Sequence, residues 1–219
     1  SLELNAVGRL ANGGDITVGE GKTALSGGDI VINDGGSLQS GGDITLSSLS
    51  NITVNGFIGS PGNLTLSAPG SILNTALLYA ANNMALYADR ITNQRGEMLA
   101  GNNLTLQRDA EGHANTEVVN TSGTIETQNG DITINTGHLL NQRDRMVVSE
   151  KENGSNTLVA DAIKLNVYSI DPEKLGYNVR ETVWGGEGGG IKTSGRIVMR
   201  VRDERKQLVY KKEVSATAE

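Results

Sequence analysis

Cysteine is absent from this sequence, which removes disulfide staples, thiol nucleophiles and thiolate metal sites at once. Aromatic residues are almost as scarce. One Phe, one Trp and five Tyr among 219 residues leave Ile, Val and Leu to build the core. Long apolar runs are missing too. None approaches the ~18 residues needed to span a bilayer, and the N-terminus SLELNAVGRL has no basic start leading into an apolar stretch, so neither membrane insertion nor an export signal is expected within this stretch. Positive charge is missing from the first part of the chain. Residues 1–141 hold five basic residues against thirteen acidic ones, which argues against a phosphate-backbone binder and against nucleic acid as a partner. Residues 142–219 hold fourteen against twelve, so the character of the chain changes near position 142.

Glycine, by contrast, is abundant at 29 residues, and it recurs in a pattern. GGDITV, GGDIVI and GGDITL place Asp15, Asp29 and Asp43 at intervals of 14, and SNITVNG, GNLTLS, NNMALY, NNLTLQ and GDITIN follow. Alternation in Ile-Thr-Val and Leu-Thr-Leu has period two, the mark of a half-buried strand. Gly-Gly-Asp or Asn-Asn before each strand supplies residues that tolerate tight corners, so each unit reads as corner followed by strand.

Aligning asparagines gives a second register. ILNTALLYAANNMAL, ITNQRGEMLAGNNLTL and VVNTSGTIETQNGDITI share an apolar-x-Asn start, and LLNQRD begins a further unit. Asn74 and Asn93 are 19 residues apart, Asn120 and Asn141 are 21 apart, and the interval of 27 between Asn93 and Asn120 contains the polar stretch RDAEGHANTE, expected as an extruded loop. About twenty residues with two or three short strands and no helical pattern is the length of one turn of a parallel β-helix. Inward asparagines at equivalent corners can bond along such a stack, which satisfies amides that are costly to bury. A β-sandwich with coincidentally similar strands is the competing fold, and strict recurrence of the corner chemistry favours the solenoid.

The chemistry of sites is thin. The aspartates Asp15, Asp29 and Asp43 follow Gly-Gly at corners, where turn capping is the commoner role than a catalytic row, and their spacing does not match stacked calcium repeats. His113 and His138 have no metal-site spacing. GEGKT at Gly19–Thr23 lacks the earlier glycine and following helix of a phosphate loop, and no GxSxG elbow occurs. The residues therefore lead to expectations of no enzymatic activity, no cofactor and no metal. Tyr168, Tyr177, Arg180, Trp184 and Tyr210 are the candidate partner-binding residues, since exposed rings and arginine dominate interface hot spots; capping the open end of the solenoid is the other role open to the rings.

The unit ITNQRGEMLAGNNLTLQ resembles the filamentous-haemagglutinin repeat: an Asn-containing corner, Gly, a short strand, an Ala-Gly step and a Leu-x-Leu strand. The match is close over residues 72–141 and looser over 1–71, where the 14-residue period implies shortened or irregular coils. The resemblance implies an all-β, right-handed parallel β-helix over 1–141, with 142–219 as a non-repetitive β-rich extension packed on or extending it. It also implies a two-partner-secretion exoprotein at the surface of a Gram-negative bacterium, most like a CdiA-type effector of contact-dependent growth inhibition. On that basis the segment is expected to recognise an outer-membrane protein on a neighbouring cell before toxin delivery, and the full-length protein to use an outer-membrane secretion partner. The alternatives are an adhesin segment for host glycan or protein, a purely structural stretch of filament and, last, a polysaccharide-cleaving β-helix. The corner residues Asp15, Asp29, Asp43, Asn74, Asn93, Asn120 and Asn141 are expected to be structural.

Overall fold

Alternating short strands with small or polar corners have one economical solution, and the chain adopts it. In a computed structural model, residues 1–142, 163–165, 183–185, 190–193, 195–202 and 208–215 are described. Every regular element among them is a strand, and three parallel sheets run side by side along one axis. The first sheet stacks Leu2–Asn5, Thr23–Gly27, Ile44–Ser48, Leu64–Ser67, Met84–Tyr87, Leu104–Gln107, Ile132–Thr136 and Arg196–Arg202. The second stacks Arg9–Asn12, Asp29–Ile32, Asn51–Val54, Ser71–Asn74, Arg90–Gln94, Glu117–Thr121 and Leu139–Gln142. The third stacks Asp15–Thr17, Ser37–Gln39, Phe57–Ser60, Leu77–Ala80, Glu97–Ala100, Thr124–Thr127 and Gly190–Thr193. The chain visits the three in turn and rises one strand per circuit, which is a β-solenoid of about seven coils.

Registry sets the coil length. Leu2 pairs with Thr23, Thr23 with Ile44, Ile44 with Leu64, Leu64 with Met84 and Met84 with Leu104, so each circuit takes 20 or 21 residues. The shortened coils expected over residues 1–71 are not there. Asp15 opens a third-sheet strand, Asp29 opens a second-sheet strand, and Asp43 precedes a first-sheet strand. A step of 14 is two-thirds of a 21-residue coil, so the three similar sequences occupy three different corners instead of stacking. Their carboxylates also reach between coils instead of capping their own turns. Asp43 Oδ1 accepts from Asn63 N at 2.8 Å, Asp15 Oδ1 from the Ser37 hydroxyl at 2.6 Å, and Asp29 Oδ2 lies 3.3 Å from Arg9 Nε.

Like residues stack on like inside. Leu25, Leu46, Leu66, Leu86, Leu106 and Ile134 form one interior column; Ile30, Ile52, Ile72, Ile91, Val118 and Leu139 another; and Leu38, Ile58, Leu78, Met98, Ile125 and Ile191 the third, none more than 2% exposed. Full burial of one such side chain stabilises by about 2–3 kcal/mol, and these columns are aliphatic throughout apart from Met98. Close approach at the corners explains one glycine directly: a Cβ on Gly101 would stand 2.0 Å from the Ala81 carbonyl oxygen of the coil below.

The corner after the second sheet carries a ladder of buried amides. Asn74 Nδ2 donates to Asn93 Oδ1 at 2.9 Å, Asn93 Nδ2 to Asn120 Oδ1 at 2.9 Å, and Asn120 Nδ2 to Asn141 Oδ1 at 2.8 Å. The same nitrogens reach the carbonyls of Ala76, Gly96 and Gly123, each at 3.0 Å, which fixes the turn into the third sheet. Those turns are two residues long, with Arg95 and Ser122 at φ of 53° and 51°.

Beyond Gln142 the solenoid resumes. Gly190–Thr193 pairs in parallel with Thr124–Thr127, and Arg196–Arg202 with Ile132–Thr136, with Ile191 and Ile197 buried in the interior columns. Leu208–Ser215 then adds antiparallel to Arg196–Arg202, with a bulge at Val201/Arg202. In the seventh coil, 47 residues thus stand between Gln142 and Gly190 where earlier coils have a corner of two or four residues.

Candidate recognition surface

Two departures from the coil fall at opposite ends of the same pair of strands. The sixth coil takes 28 residues, Leu104 pairing with Ile132, because Arg108–Thr116 is inserted ahead of the strand Glu117–Thr121. The 47-residue insert follows its neighbour Leu139–Gln142. One insertion lies at the corner between first and second sheets, the other at the corner between second and third. They are attached at opposite ends of the last two second-sheet strands, whose outward residues include Val119 and its register partner Leu140, both half-buried.

The first insertion is locally ordered by its own sequence. Asp109 Oδ1 accepts from the backbone N–H of Glu111 at 3.0 Å and of His113 at 3.1 Å, a turn that Asp-x-Glu-Gly-His supports with Gly112 at φ 89°. Its Oδ2 lies 2.6 Å from His113 Nδ1, and Arg108 N–H donates to the His113 carbonyl at 3.0 Å. Asn135 Nδ2 holds the Gly112 carbonyl, and the Thr116 hydroxyl donates to Asp89 at 2.7 Å, so the base is tied to the coils below and above. Arg90 Nη1 and Glu117 Oε1 close an exposed ion pair at 2.8 Å beside it.

The electrostatics follow from that closure. Slight desolvation pushes the Asp109 carboxyl upward, but the hydrogen bonds and charge of His113 with the Glu111 amide outweigh it and hold Asp109 below the usual carboxylate range. Burial, then the charges of Asp109 and Glu111, raise the hydroxyl of Tyr87, the register partner of Gln107 in the preceding coil. Asp109, Glu111 and His113 bring three possible ligand atoms within 4.8 Å of one another. His113 Nδ1 is already committed to Asp109, and glutamate and aspartate are exposed or half-exposed, so the group reads as a self-closed loop.

The anticipated partner residues are only partly placed. Tyr168, Tyr177 and Arg180 lie outside the described residues. Trp184 stands on Val183–Gly185, which pairs antiparallel with Ile163–Leu165 and lies beside Leu139–Gln142 and Gly190–Thr193. Tyr210 stands opposite Val201 on the strand that closes the first sheet, so the two rings belong to different sheets. The shared attachment itself escaped sequence reasoning. Its signal was the coincidence of a 27-residue Asn interval with the break after Asn141, which locates two insertions in adjacent coils.

No family model and no solved structure matches the chain. Curated relatives do. The chain is 48% identical over 193 residues to a tRNA nuclease CdiA of Escherichia coli (strain STEC_O31), covering 86% of this chain and 6% of that protein. It is 40% identical over 197 residues to a tRNA nuclease CdiA of Yersinia mollaretii, covering 88% and 7%. A deoxyribonuclease CdiA of Dickeya dadantii matches at 44% over 149 residues, covering 68% and 4%. These names overturn the expectation of a protein without enzymatic activity, and with it the exclusion of nucleic acid: the relatives are nucleases by name. The residue-level reasoning failed because it judged a long protein from a stretch equal to 6 or 7% of such relatives. With the solenoid and these identities together, the chain belongs to the CdiA-type filamentous-repeat exoproteins.

Proposed function

We propose that this chain is the receptor-recognising segment of a secreted CdiA-type filament on a Gram-negative cell surface, and that it contacts an outer-membrane protein of a neighbouring bacterium. The full-length protein, exported through an outer-membrane secretion partner, then delivers a nuclease toxin of the kind its relatives are named for. One observation carries the recognition reading: in a stack of 20- and 21-residue coils, both long insertions are attached to the same two adjacent strands. Solenoids hold binding segments on rigid coils in this way, because a corner can lengthen without disturbing the interior columns. In this reading the coils of residues 1–141 are framework, and the inserted loop Arg108–Thr116 with residues 142–219 supplies recognition.

The test is binding of the 219-residue chain to bacteria that differ by single outer-membrane proteins. Labelling that disappears with one such protein, and with residues 143–189 replaced by Ser-Gly, supports the reading. Labelling of every strain alike, or of host cells alone, overturns it.

A further inference from the structure

Asn115 is the point at which the inserted loop re-enters the stack. Its N–H donates to the Asn135 carbonyl at 3.2 Å, the bond that Ala68 makes to Tyr87 at 2.9 Å and Ala88 to Gln107 at 3.0 Å in earlier coils. Asn115 therefore takes the place of those alanines. Ala68, Ala88 and Thr136, its bridge partner in the next coil, are all buried, and Asn115 itself is 4% exposed. Alanine asks nothing of that interior, and the Thr136 hydroxyl donates to the His138 carbonyl at 3.1 Å. Asn115 differs from both. Neither its Nδ2 nor its Oδ1 has a partner among the described residues. A buried amide left unpaired destabilises the closed state, and it regains hydrogen bonds from water once released. The asparagines after the second sheet bury the same group without that cost, because each donates to the next.

We propose that residues 108–116 form a flap that opens while the coils stay folded, and that the unpaired amide of Asn115 drives the opening. The bonds that close it include Asn115 N–H to Asn135, Gly137 N–H to the Asn115 carbonyl at 2.8 Å, and Asn135 Nδ2 to the Gly112 carbonyl. Thr116 adds its N–H and its hydroxyl, which reach Asp89 at 2.9 and 2.7 Å. Other bonds lie within the flap and travel with it: those of Asp109 to Glu111 and His113, and of Arg108 to His113. The apolar columns need not move. Leu106 and Val118 are fully buried in the strands on either side of the insert and keep their places in the stack when it lifts. Local opening of this kind follows from a segment tied down by few bonds and no apolar side chain of its own beyond Ala110 and Ala114. Opening turns an inward amide outward at one end of the strands proposed for recognition. It is nevertheless a property of the chain alone and does not rest on that reading.

The experiment is amide hydrogen exchange by NMR on the full 219-residue chain. The N–H groups of Asn115, Thr116 and Gly137 are expected to exchange at least about tenfold faster than those of Ala68 and Ala88, which sit at the same corner without an insert. Asn115→Ala installs the residue of the earlier coils, so the fold tolerates it. It should slow exchange at Thr116 and Gly137 about tenfold, the change that relief of one unpaired buried group implies. Protection at Thr116 and Gly137 equal to that of Ala88 in the parent chain, or unchanged by Asn115→Ala, overturns the proposal. Faster exchange in Asn115→Ala overturns it in favour of an internal water that the amide holds in place. Labelling of bacteria decides the recognition reading and exchange decides the flap, so the two fail separately.

Discussion

Coils two to five and coils six and seven share one interior and differ in what they carry outside. Between Thr23 and Ala100 every corner is short, the apolar columns run unbroken, and successive coils repeat at 20 or 21 residues. From Leu104 onward the same columns continue through Leu106, Ile134, Ile125 and Ile191, yet the corners expand by eight residues in one coil and to 47 in the next. Stability therefore resides in columns shared by all coils, while individuality resides at corners. A solenoid of this kind lets the second change without disturbing the first.

The largest expected break in that division is in the ladder. Asn93→Leu removes bonds to Asn74, Gly96 and Asn120 and strands two buried amides, and should cost about 3–5 kcal/mol in urea unfolding. The same column holds Ile32 and Val54 in earlier coils, where apolar neighbours accept them, so Asn74→Val at the junction should cost clearly less than Asn93→Leu. A comparable loss for the two would sink the view that the ladder acts as a connected network. Next in size, Leu86→Ala should destabilise by about 2–4 kcal/mol, because its column cannot collapse across fixed strands. Excision of Arg108–Thr116 in favour of a short corner tests the other half of the comparison, and thermal unfolding should move by less than about 1 kcal/mol equivalent. A loss as large as that of Leu86→Ala would mean that the loop is part of the frame. The smallest effect concerns pH. Asp109 is held below its ordinary value in the folded chain, so its contribution to loop order is present above the unfolded carboxyl value and is lost as pH falls through the lower folded one. The His113 and Glu111 amide signals should report that loss in acid, and Asp109→Asn should abolish the transition.

Much of this was legible in the sequence, for physical reasons that also mark where legibility stops. Period-two triplets and recurring Asn announced strands and stacked corners, since both depend on local residue type. The similar GGD units misled because a corner has the same chemistry wherever it occurs on the coil, so sequence similarity alone does not say which of three sheets follows. Ile191-Lys192-Thr193 and Ile197 rejoin the columns in a pattern like Ile125-Glu126-Thr127 and Ile132, but 47 intervening residues hide the period. Phe57 and Tyr79 come to adjacent strands only once the coil length is known, and Tyr87 stands beside Gln107, at the root of the inserted loop, for the same reason.

The amide ladder has a sense as well as a strength. Each rung donates from Nδ2 toward the following coil, so the side-chain dipoles of Asn74, Asn93, Asn120 and Asn141 add head to tail, with the positive end at the last rung. That end, Asn141 Nδ2, is buried and has no acceptor among the described residues. The row behaves as a polarised wire through the side of the molecule, and its positive end lies one residue before Gln142, the last residue of the second sheet. An acceptor oxygen brought to that point would be held by the summed polarity of four amides.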